Sequence, residues 1–279
     1  MFKINFNWKI FLKIASLFVL AQIIGVWVAY KLVPDLVSVQ PGRISDFNLY
    51  DLAILAVLVA IFIFAVRKFK KAGAAFFKIF LTVIIYVGSQ TTLGIWFGPA
   101  ASTVATVVIL VLFWFFNNVF MQNIAMLLTF AGVGAVIGLS LTPETSVLLL
   151  VAFSFYDILA VYKTKHMIKL AESMIESRAI FGFVVPEILS GVKEKISKVV
   201  PGGQFMILGS GDVILPLVLS ASLVRVSLFQ SVFVVFFSVL GLLLMHLIFT
   251  NQKIRRPMAA LPPIATMAII GYLVALFVI

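Results

Sequence analysis

Two carboxylates in this chain lie where carboxylates are costly. Asp157 sits inside VLLLVAFSFYDILAVYK, and Asp212 sits inside FMILGSGDVILPLVL. An acid at the centre of a membrane helix costs about 2.5–3.5 kcal/mol on insertion scales, which makes it a candidate for function. The chemistry open to two such acids is proton chemistry. Two facing carboxylates cannot easily both ionise, so the pair holds one proton. The ionised member can take a proton from water while the protonated member polarises a peptide carbonyl. Such a pair titrates as a unit. The rival use of the same acids is a proton- or cation-coupled membrane transporter.

The elements that position these acids are membrane helices. Of 279 residues, 63% are hydrophobic and 11% charged, and the mean hydropathy is +1.21. A soluble domain of this size cannot hide that much apolar surface. With no cysteine, disulfides and thiol catalysis are excluded. The two histidines, His166 and His246, cannot make a His-Glu-x-x-His zinc site. No metal and no organic cofactor is expected. A crossing needs about 20 apolar residues. The fold class that follows is an all-α membrane protein with nine spans, at 10–30, 49–66, 75–96, 99–116, 121–140, 145–162, 204–223, 228–249 and 258–279. The apolar run to Tyr30 is too long for a signal-peptide core and reads as a retained first helix.

Charge orients the spans. Basic loops prefer the cytoplasmic side. With the N-terminus, the 67–78 region, the 163–203 segment and Lys253-Arg255-Arg256 inside, only Lys31, Arg43 and Arg225 of the 21 basic residues fall outside. The N-terminus is then cytoplasmic and the C-terminus outside. The net charge of +11 is thereby a topology signal, not a nucleic-acid footprint. The chain divides into 1–162, six spans with the first acid; 163–203, a long cytoplasmic amphipathic connection; and 204–279, three spans with the second acid. Within the connection, KHMIKLAESMIESRAI reads as an amphipathic helix on the membrane face, or as a mobile cover over a site.

Depth relates the two acids. Asp157 precedes Lys163 by six residues and Asp212 follows Gln204 by eight, about 9 and 12 Å of helix. On consecutive antiparallel helices they could face each other at one level. Gly209 and Gly211 are two apart, whereas helix-packing glycines are usually four apart. Loosened backbone before Asp212 suits them better, with Pro216 a further break. Irregular backbone at this depth is tolerated where it is covered by protein or lines a wet cavity. Pro262-Pro263, in MAALPPIA, opens the last span as prolines ordinarily do.

Tyr156-Asp157, Gly209-Ser210-Gly211-Asp212 and Ala260-Leu261-Pro262, in that order in spans six, seven and nine, resemble the presenilin and signal peptide peptidase family of intramembrane aspartyl proteases. The resemblance implies that Asp157 and Asp212 are the catalytic pair. It implies that Tyr156, Gly209, Ser210, Gly211, Ala260, Leu261 and Pro262 line the site and help hold substrate. The family usually has Pro-Ala-Leu, and here Ala259 stands in the proline position. The inside placement of 163–203 favours the presenilin-like orientation over that of signal peptide peptidases. Compact loops suggest a microbial homologue, which would be an integral, multi-pass protein of the cell membrane.

The expected activity is hydrolysis of peptide bonds within membrane-spanning segments of other proteins. The unwound substrate needs new backbone partners, which an edge near 200–208 or 258–262 would supply. The partners are transmembrane substrates and the lipid bilayer; a homo-oligomer is compatible with the sequence. Transport loses ground because no internal repeat of the broken element is visible. A serine protease using Ser210 and His246 lacks a partner motif, and a prepilin-peptidase-like enzyme would have fewer spans.

Overall fold

A computed structural model describes residues 8–39, 70–163, 174–199, 205–252 and 258–278. Eight α-helices run through them: α1 (Trp8–Val39), α2 (Lys70–Gly94), α3 (Pro99–Phe116), α4 (Val119–Ser140), α5 (Pro143–Ile158), α6 (Ser210–Leu223), α7 (Leu228–Thr250) and α8 (Leu261–Val278). Two strands, β1 (Gly182–Pro186) and β2 (Phe205–Gly209), lie between α5 and α6. The second expected span, 49–66, falls outside the described residues.

Seven of the helices are long and apolar enough to cross a membrane. Their outward faces carry Ile79, Phe115, Phe236 and Phe277, all well exposed. A soluble protein avoids so much exposed apolar surface; a lipid surround needs it. The helix ends are written in local chemistry. Pro99 and Pro143 open α3 and α5 at positions whose N–H groups would be orphaned anyway. Asn118 caps α4 by accepting from the Met121 N–H at 2.9 Å. Asn117 ends α3 in the left-handed region, at φ 44°, which asparagine tolerates better than most residues.

α4 is the inner helix, packing against α1, α2, α6 and β1. Met126 and Phe130 of α4, Phe18 of α1 and Phe183 of β1 share one buried cluster, and the Phe130 and Phe183 rings meet edge to face at 5.1 Å. α7 and α8 pair closely because Gly241 has no side chain: a Cβ there would come within 2.6 Å of the Ile264 backbone.

Two expectations need correction. The fold is not all-α: β1 and β2 form an antiparallel pair, registered Gly182 to Gly209 through Pro186 to Phe205. The seventh span is not one helix from 204 to 223. Its first part is strand, and α6 is only 14 residues long. The run Phe205–Leu208 is apolar enough for either structure, and pairing with Gly-Phe-Val-Val-Pro decides for strand. The described part of the 163–203 connection is also more than a surface cover. All five residues of β1 are buried, and Val119 N–H donates to Glu194 O at 3.0 Å, which fastens the segment to the start of α4. Residues 165–173, most of the expected amphipathic helix, lie outside the described residues.

Candidate active site

α5 carries Asp157 one residue before its end, where the helix widens into a π turn, Leu159–Lys163. π-turns are rare and are frequently found at functional sites. The Asp157 carboxylate reaches the N-terminus of α8. Its Oδ2 accepts from the Leu261 N–H at 3.3 Å, and the Ala260 backbone also bonds to it. The sequence explains why these donors are the ones used. The first turn of a helix has orphaned N–H groups, but Pro262 and Pro263 have none to give. Ala260 and Leu261 are therefore the donors left at that end. The Ala-Leu-Pro segment thus holds the acid through its backbone.

Asp212 is held by its own helix start. Gly209 is the N-cap of α6 and Asp212 stands three residues on. The Gly209 backbone hydrogen-bonds to the Asp212 carboxylate. This is the returning half of a capping box, in which an acid at the third helical position bonds back to the N-cap N–H. The register makes that N–H available, because Ser210 N–H continues the ladder to Phe181 O at 3.0 Å and the groups of Gly209 turn away from β1.

The glycines act through space, not through unusual dihedrals. Gly209 has φ −65° and ψ 154°, which any residue can adopt. A Cβ on it would stand 3.1 Å from Oδ2 of Asp212. Gly182, its partner across the sheet, would put a Cβ 2.5 Å from Leu208 O. At Gly211 a Cβ meets nothing within 4 Å, so this glycine borders open space beside the acid. The expected unusual backbone is instead a strand-to-helix junction.

The two acids come together. Asp157 lies close enough to Asp212 to act on it electrostatically, and both are half-buried. The helical depth estimate for Asp212 counted strand residues as helix, and a strand rises further per residue, so the spacing from Gln204 does not set a shared level; the electrostatic contact between the two acids is what relates them. Ser210 opens α6, and Tyr156 is half-exposed beside Asp157. His246 is buried on α7 against the Phe11 ring of α1, at 5.4 Å. A shallow groove lined by Lys78, Thr82 and Trp114 on α2 and α3 shares no residue with the acid site.

Sequence reasoning did not single out Gln22, Gln122, Asn123 or Lys13. Gln22, fully buried on α1, donates to Val213 O at 2.9 Å, next to Asp212. Gln122 and Asn123 on α4, with Lys13 on α1, hold β1. The available signal was polar side chains inside otherwise apolar spans, which rarely occur without a task.

Comparison with known proteins gives the same grouping. No curated protein is similar enough in sequence to count as a relative. Among solved structures, the fold is similar to a presenilin family intramembrane aspartate protease. Its C222 crystal form has a TM-score of 0.66 at 21% identity, covering 96% of this chain and 99% of that one. Its P2 form has a TM-score of 0.64 at 24% identity, covering 96% and 98%. The family model described as signal-peptide peptidase, presenilin aspartyl protease matches residues 15–279. That family gives the transporter reading no support. With its acids on α5 and α6 and its model spanning nearly the whole sequence, the chain belongs to the presenilin and signal-peptide peptidase family: it is a multi-pass membrane aspartic endopeptidase.

Proposed function

We propose that Asp157 and Asp212 are the catalytic pair, and that the enzyme cleaves single-span membrane segments after these unwind beside β2. The observation that carries this reading is the convergence of two helix N-termini on two neighbouring acids. One N-terminus holds Asp157 through Leu261 and Ala260, and the other holds Asp212 through Gly209. Helix N-termini favour negative charge. The pair can therefore carry one negative charge and one proton in apolar surroundings.

The ionised carboxylate takes a proton from a water placed between the two acids. The water oxygen forms a bond to the scissile carbonyl carbon as the protonated carboxyl hydrogen-bonds to the carbonyl oxygen. The tetrahedral intermediate collapses as a carboxyl proton passes to the departing nitrogen and the C–N bond breaks. The acids end with one shared proton, as they began. Tyr156, Ser210, Gly211 and Pro262 border the place where substrate would lie.

A helical carbonyl is shielded, so substrate must open first. The groups of Phe205 and Ile207 that turn away from β1 would pair with the opened backbone. The charge pattern supports nine crossings with a cytoplasmic N-terminus, a cytoplasmic 163–203 connection and an outer C-terminus. The segments 1–162 and 204–279 then bring one acid each.

The test is direct. Purified protein is incubated with a single-span peptide, alongside Asp157→Ala and Asp212→Ala. Cleavage by the parent and by neither variant is expected. Cleavage that persists in both variants overturns the dyad.

A further inference from the structure

One side of β1 is closed by side chains. Ile180 O and Gly182 O accept from Nε2 of Gln122 at 2.7 and 3.2 Å. Val184 O accepts from Nδ2 of Asn123 at 2.8 Å, and the Val184 N–H donates to Oδ1 of the same side chain at 2.9 Å. Pro186 O accepts from Nζ of Lys13 at 2.9 Å, and Glu187 O accepts from the same ammonium at 3.0 Å. The carbonyls at 180, 182, 184 and 186 recur at every second residue. That is the period with which one side of a strand presents its groups. Pro186 has no N–H to leave open on this side.

Asn123 thus does for Val184 what a neighbouring strand would do, offering one donor and one acceptor. Gln122 is 1% exposed, so its bonds to the strand are shielded from water. An ordinary two-stranded sheet has two edges, and either can add a third strand. Here α1 and α4 occupy one of them. The other, on β2, continues without a break into Gly209 and Asp212.

We infer that Gln122, Asn123 and Lys13 are positioning residues that close the outer side of β1, fix the sheet on α1 and α4, and leave β2 as the one open edge among the described residues where an extended substrate segment can pair in line with the acids. This rests on the reading that substrate adds as a strand on β2. None of the three touches the reacting atoms. They act by keeping β2 from tilting, so that the paired segment presents one peptide bond to the acids rather than several.

The test uses the full chain in lipid nanodiscs with a single-span peptide. KM and kcat are measured, and product termini are read by mass spectrometry. Asn123→Leu removes both bonds to Val184 while keeping the same number and branching of side-chain heavy atoms. Loss of this clamp is expected to raise KM about tenfold, since two part-buried hydrogen bonds are lost. It is also expected to spread cleavage over neighbouring peptide bonds. A merely structural role would lower the active fraction, and so kcat, while KM and the termini stayed as in the parent; that result overturns the clamp. Lys13→Met, which keeps the aliphatic stem, is read in the same way and decides the matter should Asn123→Leu fail to fold. Amide exchange at Val184 gives a reading independent of cleavage: faster exchange in Asn123→Leu is expected, and unchanged exchange overturns the clamp. Asp157→Ala and Asp212→Ala run beside these variants. Cleavage persisting there sinks the dyad, whereas parent-like KM and termini in both clamp variants sink only the clamp.

Discussion

The Leu261 N–H donates to Oδ2 of Asp157 at 3.3 Å, so the first residue of the last helix holds an acid from a helix about a hundred positions earlier. Two consecutive prolines make this contact specific, because they remove the competing donors at the start of α8. The Ala-Leu-Pro segment and the acid are therefore one unit, and a change in either is felt by the other.

Replacing the acid separates its two tasks. In Asp157→Asn the side-chain oxygen can still accept from Leu261, but it cannot share or pass a proton. Thermal stability is expected to stay near that of the parent while kcat falls by about 10²–10⁴-fold or more, the range for loss of general acid–base catalysis. Asp157→Ala loses the contact too, and about 1–3 kcal/mol of stability goes with it. Calorimetry and a cleavage assay on both variants check this. Equal destabilisation by Asn and Ala would count against the tie to Leu261.

The two glycines before Asp212 are predicted to differ. Gly209→Ala places a methyl 3.1 Å from the Asp212 carboxylate, which must then move by a few tenths of an ångström. A fall in kcat with little change in folding is expected, because small misplacements of a reacting group cost much rate. Gly211→Ala meets nothing and lies within a helix, where alanine is favoured over glycine by about 1 kcal/mol. It should fold at least as well as the parent, yet raise KM, since the methyl fills space beside the acid. Matching kinetics in the two variants would remove the distinction.

Much of the candidate site was readable in the chain because the acids are costly where they stand, and cost is visible without coordinates. Asp157 and Asp212 stand out against Leu, Val and Phe, and Pro262-Pro263 marks a helix start. The sheet was not readable as a sheet. Phe205-Met-Ile-Leu is a short apolar run that serves helix or strand equally, and its partner Gly182–Pro186 lies some twenty residues away in a segment that looked like a surface connection. Val184 and Val185 between a glycine and a proline were a strand signal, too brief to outweigh the amphipathic pattern before it. Gln22, Gln122 and Asn123 give no spacing signal at all. Their partners are backbone groups on distant segments, which nearly every residue supplies.

A transition-state mimic probes the pair without mutation. A peptide isostere bearing a hydroxyl in place of the scissile carbonyl should bind the parent at least about a hundredfold more tightly than the substrate, as such analogues do. Asp157→Asn and Asp212→Asn should each lose that advantage, while binding of an ordinary substrate peptide changes little. Competition with a labelled isostere measures both. Undiminished binding to the two variants would place the hydroxyl elsewhere.

Pro216 lies within α6 and has no N–H for the carbonyl of Asp212, four residues back, so the helix ladder is interrupted beside the acid. Gln22 meets this weak turn from α1, donating to Val213 O at 2.9 Å while fully buried. Gln22→Met keeps the length and loses the bond, at an expected cost of about 1–3 kcal/mol and with a fall in activity, because Val213 adjoins Asp212. Pro216→Ala restores an N–H at the interrupted turn and lets α6 close its own ladder. In that background the bond from Gln22 matters less, so the two changes should not add. Denaturation of the two single variants and the double variant should give a coupling of about 0.5–3 kcal/mol, the range for residues sharing one network. Additive costs would mean that Gln22 does not support the turn that carries Asp212.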